Sequence, residues 1–132
     1  MMRIVSYILL LLATPMLFAE DGGSAAMYIK ITPGLVVNYG EPSSGRLRYL
    51  KVSVHVRVKD ISDAEIVEHH LPALQDVLIS ILSAQDVENI RSAEGKEEIR
   101  KNTLAEFQQL IEKEEGESVI QDLLFGSFIV QR

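Results

Sequence analysis

The chain has 132 residues, a formal net charge of −6 and no cysteine. A sequence without cysteine forms no disulfide, thiol nucleophile or thiolate metal site, so its fold must rely on packing. Its negative charge disfavours nonspecific binding to nucleic acid or to anionic lipid. We therefore expect the partners of this chain to be proteins.

The N-terminal segment is an apolar run at residues 4–18, preceded by an arginine and followed by a small residue and two acidic ones. As a helix the run would cover about 22 Å, which is short of the roughly 30 Å of a bilayer core. Its flanks are typical of a secretory signal. We predict a cleaved signal peptide at residues 1–19, with a short retained membrane anchor as the alternative, and a linker at 20–26. Both interpretations export the remaining domain.

The first part of that domain predicts two strands joined as a hairpin. Residues 27–32 and 35–39 are strand-like, and Pro33 and Gly34 are expected to bend or bulge the path between them. The loop at 40–45 is rich in turn formers and would lead into the next strand.

The strongest local pattern is the alternation LKVSVHVRVK at residues 50–59. Successive side chains of a strand point to opposite faces, so one face is predicted to be core and the other wet. The predicted core face comprises Leu50, Val52, Val54, Val56 and Val58. The polar row is interpreted first as a solvated sheet face, and alternatively as a basic docking stripe of Lys51, Arg57 and Lys59. The partner-binding residues that we predict on it are Lys51, Ser53, His55 and Arg57.

The next segment changes to a helical period, with apolar residues three or four apart between 64 and 82. Ser62 and Glu65 form a predicted capping box. We predict one helix at residues 63–83. Because Pro72 removes a backbone hydrogen bond, we expect that helix to bend near His69 rather than stop.

Two more helices are predicted before the C-terminal strand. One turn is expected at residues 87–91, and Ser92 is expected to cap a longer helix that ends at Gly116. The apolar stripe of that helix comprises Ile99, Leu104, Phe107, Leu110 and Ile111. The acidic residues near its end are interpreted as a solvated helix terminus rather than a cation site.

The C-terminal segment carries apolar residues at both parities between 120 and 130. This pattern predicts a strand that is covered on both faces and lies inside the sheet. Gly126 predicts a bulge or a close backbone approach. The predicted fold class is α+β, with a mixed sheet packed against two main helices.

No combination of residues in the sequence indicates catalysis. There is no GxSxG elbow and no phosphate-binding glycine loop, and there are three histidines. The adjacent His69 and His70 would project about 100° apart around a helix, with no further histidine or thiolate to complete a metal site. We expect a non-catalytic protein without a metal or cofactor.

Four stretches, in this order, resemble the flagellar basal-body-associated FliL family. They are MYIKITPGLVVNY at 27–39, RYLKVSVHVRVKD at 48–60, SAEGKEEIRKNTLAEF at 92–107 and DLLFGSFIVQ at 122–131. The last is similar to the phenylalanine-rich terminal strand of that family. We accordingly predict a periplasmic FliL-like domain at residues 27–132.

The resemblance implies a domain like that of stomatin and prohibitin (SPFH) proteins, which self-associates into a homo-oligomeric ring. It implies a position at the inner membrane, on its periplasmic side, around stator units of the MotA/MotB type. There the protein would support stator assembly, flagellar rotation, and swimming or swarming. No catalytic residue and no cofactor come with that role.

Two other functions stay open at this point. A periplasmic small-ligand-binding module would need an apolar pocket between the helices and the sheet, and a small hydrolase would need a nucleophile and a base side by side. Members of the family usually keep a longer transmembrane helix. If residues 1–19 are cleaved, this protein is a soluble periplasmic variant that its partners alone hold at the motor.

Overall fold

The computed structural model describes residues 26–41 and 45–131. The elements within these ranges, in chain order, are β1 (Met27–Tyr39), β2 (Arg48–Val58), α1 (Ile61–His69), α2 (Leu71–Ser83), α3 (Val87–Arg91), α4 (Ala93–Glu115) and β3 (Asp122–Gln131). The predicted signal peptide or anchor at 1–19 lies outside the described residues, as does most of the linker. The domain boundaries therefore stay a prediction.

In the described sheet, β2 is the central strand, with β1 on one side and β3 on the other. Both pairs are antiparallel, which confirms the β1–β2 hairpin and shows that the predicted mixed sheet is wrong. The reason lies in the path of the helices. They return the chain to the end of the sheet where β2 stops. There Asp122, the first residue of β3, lies opposite Arg57, so β3 runs antiparallel to β2.

The alternation predicted for β2 is confirmed, since every apolar residue of its core face is fully buried. Helix α2 packs against β1, α4 packs against β3, and α2 and α4 contact each other. The helices thus form one layer on one face of the sheet, which confirms the α+β class. The fully buried helix residues that complete the core include Val67, Leu74, Leu78, Leu82, Ile90, Phe107 and Ile111. Burying a side chain of this size contributes about 1.5–3 kcal/mol.

Strand β1 runs through Pro33 and Gly34 without ending. Its register with β2 shifts between Lys30 and Thr32 and again between Thr32 and Leu35. The predicted bulge is therefore confirmed. An edge strand tolerates this proline because it needs a ladder hydrogen bond on one side only.

The segment predicted as one bent helix is two helices, α1 and α2, separated at His70. Pro72 is the second residue of α2. The backbone N–H groups of the first helical turn have no acceptor within the helix, so the N–H that proline lacks is not missed there. Proline thus begins a new helix instead of bending the old one. The predicted cap is also wrong: Asp60 accepts from the Asp63 amide at 3.0 Å, and the Ser62 hydroxyl donates to the same carboxylate at 2.8 Å.

The predictions for the later helices are confirmed. Ser92 accepts a hydrogen bond from the Gly95 amide at 2.9 Å and caps α4. Gly116 ends that helix with a φ of +85°, a left-handed conformation that glycine adopts without steric cost. The short helix α3 lies where one turn was expected.

The prediction that the C-terminal strand lies inside the sheet is wrong. Among the described strands, β3 has β2 on one side and forms an edge. Its apolar residues do face both ways, but Leu124 and Ile129 are 41% and 49% exposed. The expectation for Gly126 is confirmed twice. It is the extra residue where β3 bulges, and a Cβ there would lie 2.7 Å from Ser53 Oγ.

Candidate protein-docking face

The sheet face turned away from the helices is called the open face below. Residues directly opposite each other on neighbouring strands share a face of the sheet. The register therefore places four complete cross-strand rows on the open face. In the order β1, β2, β3 they are Asn38, Tyr49 and Gln131; Val36, Lys51 and Ile129; Lys30, His55 and Leu124; and Tyr28, Arg57 and Asp122. The pair of Ser53 and Ser127 lies between the Lys51 row and the His55 row, where the register of β1 is irregular.

The four predicted partner-binding residues all project from β2 on the open face, but they differ in exposure. Lys51 is exposed, and His55 and Arg57 are half-buried. Ser53 is only 7% exposed, and its hydroxyl lies 3.0 Å from that of Ser127 on β3. Ser53 therefore links two strands and offers little surface. That these residues bind a partner stays a prediction.

Apolar residues on the neighbouring strands complete the open face, and the sequence interpretation missed them. Four of the seven large apolar side chains exposed in the described part of the chain lie here: Tyr28, Val36, Leu124 and Ile129. The available signal was the double parity of β3. This pattern was interpreted as burial of β3 on both faces of the sheet, whereas its apolar side chains on the open face are exposed.

The open face is also segregated in charge. The acidic residue in its described rows, Asp122, accepts a hydrogen bond from Arg100 at 2.9 Å and is thereby engaged at the sheet edge. The cations Lys30, Lys51 and Arg57 form no ion pair with any residue that the structure describes. A basic face therefore exists on a chain whose net charge is −6.

The two adjacent histidines lie away from the open face. His70 Nε2 lies 2.7 Å from Glu115 Oε1, which ties the junction of α1 and α2 to the last residue of α4. The ring of His69 stands nearly perpendicular to that of His70, with centroids 5.0 Å apart. Among the described residues, no three histidine or carboxylate side chains are grouped to hold a metal ion.

The ligand-binding alternative would require an apolar pocket between helices and sheet. In the described part of the chain that space is filled by the fully buried residues of β2, α2 and α4. The hollow between the end of β1 and the end of α2 lies at the surface, where exposed Glu41, Ala84 and Asp86 help to line it. It is not the enclosed apolar site that this alternative needs.

Comparison with known proteins relates this fold to a family. The model of the family described as "Flagellar basal body-associated protein FliL" matches residues 28–131. The chain belongs to the FliL family. A similar protein is "Flagellar protein FliL" of Aquifex aeolicus (strain VF5), which is 24% identical over 102 residues. The aligned part is 77% of this chain and 60% of that relative, so the chain spans about three fifths of the relative's length.

Membership of the FliL family confirms the resemblance found in the sequence, and the description of that family is of proteins associated with the flagellar basal body. The family consists of structural or accessory proteins of the flagellum and is not known as a family of enzymes. Within the described ranges, no helix is both long and apolar enough to cross a membrane.

Proposed function

We propose that this protein is a non-catalytic scaffold at the flagellar basal body that supports stator assembly and activity and thereby flagellar rotation. The observation that carries the proposal is the family match over residues 28–131. The partners are stator proteins of the MotA/MotB type. The site of action is the periplasmic side of the inner membrane.

The structure supports a binding role in physical terms. One layer of helices buries one face of the sheet, and the other face keeps exposed apolar and basic side chains. Stator assembly is a binding equilibrium rather than a reaction. A scaffold that binds the active stator more tightly than the inactive one raises the population of the active form. A difference of about 1.4 kcal/mol in binding free energy shifts that equilibrium tenfold.

An SPFH-like fold and a homo-oligomeric ring belong to the same proposal. The supporting feature is strand β3, a described sheet edge that is free of charged residues from Leu123 to Val130. Exposed edges of this kind present unpaired backbone groups to other chains. A neighbouring subunit in a ring would satisfy them.

The proposal is tested in the bacterium that encodes the protein. Deletion of the gene should reduce the number of stator units per motor, counted by fluorescence of tagged stator subunits, and slow swimming or swarming. Expression of the full chain should restore both. Unchanged stator counts and unchanged motility after deletion would contradict the proposal.

The N-terminal prediction needs its own measurement. The tagged protein is recovered from the cell envelope after gentle crosslinking and weighed intact by mass spectrometry. A mass that begins near Glu20 establishes the cleaved, soluble form, and the mass of the full chain establishes the anchored form. Recovery of stator subunits with either form supports the proposed role, and their absence argues against it.

A further inference from the structure

We propose that the open face binds a protein segment that carries carboxylates alongside apolar side chains. This inference rests on the proposed function and deepens it, because it specifies the chemistry of the partner segment. It also replaces the predicted row of four β2 residues by a surface built from all three strands.

The open face is complementary in charge to an acidic segment. Lys30 and His55 share one row of the open face, Arg57 lies in the adjacent row, and Lys51 lies beyond the intervening pair of Ser53 and Ser127. The three lysine and arginine side chains form no ion pair with the described residues. Each of these cations can form a favourable charge contact with a carboxylate of a partner segment that runs along the strands.

Apolar surface lies on both sides of these basic side chains. In one row Val36 and Ile129, 56% and 49% exposed, flank Lys51. Beyond the pair of Ser53 and Ser127, Leu124 flanks His55, and Tyr28 flanks Arg57. Exposed apolar groups that cluster in one patch, with charges among them, are typical of a protein interaction surface.

The net charge of the chain argues for a local acidic segment and against an extended anionic surface. A charge of −6 repels the chain as a whole from an anionic bilayer or from nucleic acid. A short partner segment meets only the basic rows. A second copy of this chain, which has its own acidic residues at the end of α4, is an alternative occupant that the test must separate.

The experiment measures binding of the purified full chain to a short fluorescent peptide of alternating glutamate and valine, by fluorescence anisotropy at low salt. We expect saturable binding that weakens as salt rises. A peptide with lysine in place of each glutamate should not bind. Absence of binding by the glutamate peptide, or equal binding of both, would overturn the inference.

The charge variant combines Lys51→Glu with Arg57→Glu. Both side chains reach solvent, so we expect the variant to fold, as circular dichroism and a thermal melt would verify. The affinity for the peptide should fall by about tenfold or more. The matched control combines Lys101→Glu with Lys113→Glu, which makes the same charge change on exposed positions of α4. An equal loss in the control would show that total charge alone is sensed.

The apolar variant combines Val36→Ser with Ile129→Ser, and Leu47→Ser serves as its control, because Leu47 is 64% exposed but precedes β2. We expect only the first to weaken peptide binding. Two further measurements identify a different occupant. Flotation with phosphatidylglycerol vesicles without peptide binding would indicate lipid, and self-association lost in the charge variant without peptide binding would indicate a second copy.

Failure of this inference is distinguishable from failure of the proposed function. If deletion of the gene lowers stator counts but the charge variant restores them fully and binds no peptide, the scaffold role stands and the open face is not its docking site. If the peptide binds as expected but deletion leaves the motor unchanged, the proposed function is wrong.

Discussion

Arg100 in α4 donates a hydrogen bond from Nη1 to Oδ1 of Asp122, 2.9 Å away, and so joins this helix to the first residue of β3. The same nitrogen reaches the carbonyl oxygen of Leu123 at 3.2 Å. Glu97, one turn earlier in the helix, accepts from Nη2 at 2.6 Å. This hydrogen bond raises the pKa of Arg100 above its ordinary value and lowers that of Glu97. The contact anchors an edge strand to the helix layer.

Replacing Arg100 by alanine should therefore destabilise the fold modestly. The side chains of Arg100 and Asp122 are 24% and 31% exposed, so solvent weakens the ion pair, and we expect a loss of about 1 kcal/mol in the free energy of unfolding. Urea denaturation measures it. The control Lys101→Ala changes the next, exposed residue of the same helix. A loss as large in the control would contradict the role of the Asp122 contact.

The Asp60 cap should make stability depend on pH. The Asp63 amide, and then the Ser62 hydroxyl, hold the pKa of Asp60 below its ordinary value of 3.8. Because the pKa is lowered in the folded state, the stabilisation is present above the ordinary pKa and is lost as the pH falls through the folded value. Asp60→Ala should lower the urea midpoint at pH 7, and the difference from the unmodified protein should shrink below about pH 4.

The variant Asp60→Asn separates the charge from the cap, since asparagine also accepts hydrogen bonds at this position. Its urea midpoint at pH 7 should lie between those of the unmodified protein and of Asp60→Ala. Ser62→Ala should have a smaller effect than Asp60→Ala. Ser62 only donates a hydrogen bond to the Asp60 carboxylate, whereas Asp60 itself accepts from the helix amide. A difference for Asp60→Ala that is the same at pH 3 and pH 7 would contradict this assignment.

Two neighbouring residues of α2 should respond very differently to truncation. Leu78 is fully buried between helices and sheet, whereas Ile79 is 38% exposed. Leu78→Ala should cost about 2–5 kcal/mol, because it loses buried apolar surface and leaves a cavity. Ile79→Ala should cost about 1 kcal/mol or less. Chemical denaturation of both variants checks which side of this helix faces the core. Equal losses in the free energy of unfolding would contradict the burial of Leu78 and the exposure of Ile79.

Gly95 and Gly116 lie at opposite ends of α4, and replacing each by alanine should destabilise the fold for a different reason. A Cβ on Gly95 would lie 2.1 Å from the carbonyl oxygen of Asn89, a backbone atom of α3. Gly95→Ala must therefore push the two helices apart, at a cost of about 1–3 kcal/mol or more. At Gly116, among the described residues other than its immediate neighbours in the chain, no atom lies within 4 Å of such a Cβ. Its left-handed φ makes Gly116→Ala cost only about 1 kcal/mol.

Thermal melts of these two variants measure the contrast. A Gly95→Ala protein as stable as the Gly116→Ala protein would mean that α3 and α4 are not packed backbone to backbone. Because α3 is held mainly through α4, we also expect the Gly95 variant to expose α3 to proteolysis before the rest of the domain.

Local features of this fold could be predicted from the sequence because neighbouring residues decide them. The alternation of β2 from Leu50 to Val58 required one buried face, whatever covers it. Ser92 and Gly116 marked the ends of α4, since a side-chain acceptor and a left-handed glycine act within one turn of the helix. The bulge at Gly126 belongs to the same class.

Two of the wrong predictions, the cap of the first helix and the bend at Pro72, concern choices between similar local alternatives. Asp60 and Ser62 are both good capping residues, and the helix begins one residue after the first of them. Pro72 is compatible with a bend and with a first helical turn. The chain adopts the second, with the break at His70. Periodicity does not separate these cases, because the apolar positions of α1 and α2 stay in contact with the same core.

The sequence by itself determined the α+β class, the segments of β2, α3 and α4 and the family likeness, because periodicity, caps and motifs depend on neighbouring residues. Only the tertiary structure decided that β3 is an edge, that the sheet is antiparallel throughout its described part, and that Val36 and Ile129 flank Lys51. Those residues lie far apart in the chain. Their proximity depends on strand order and register, which the packing of the helices on one face of the sheet fixes.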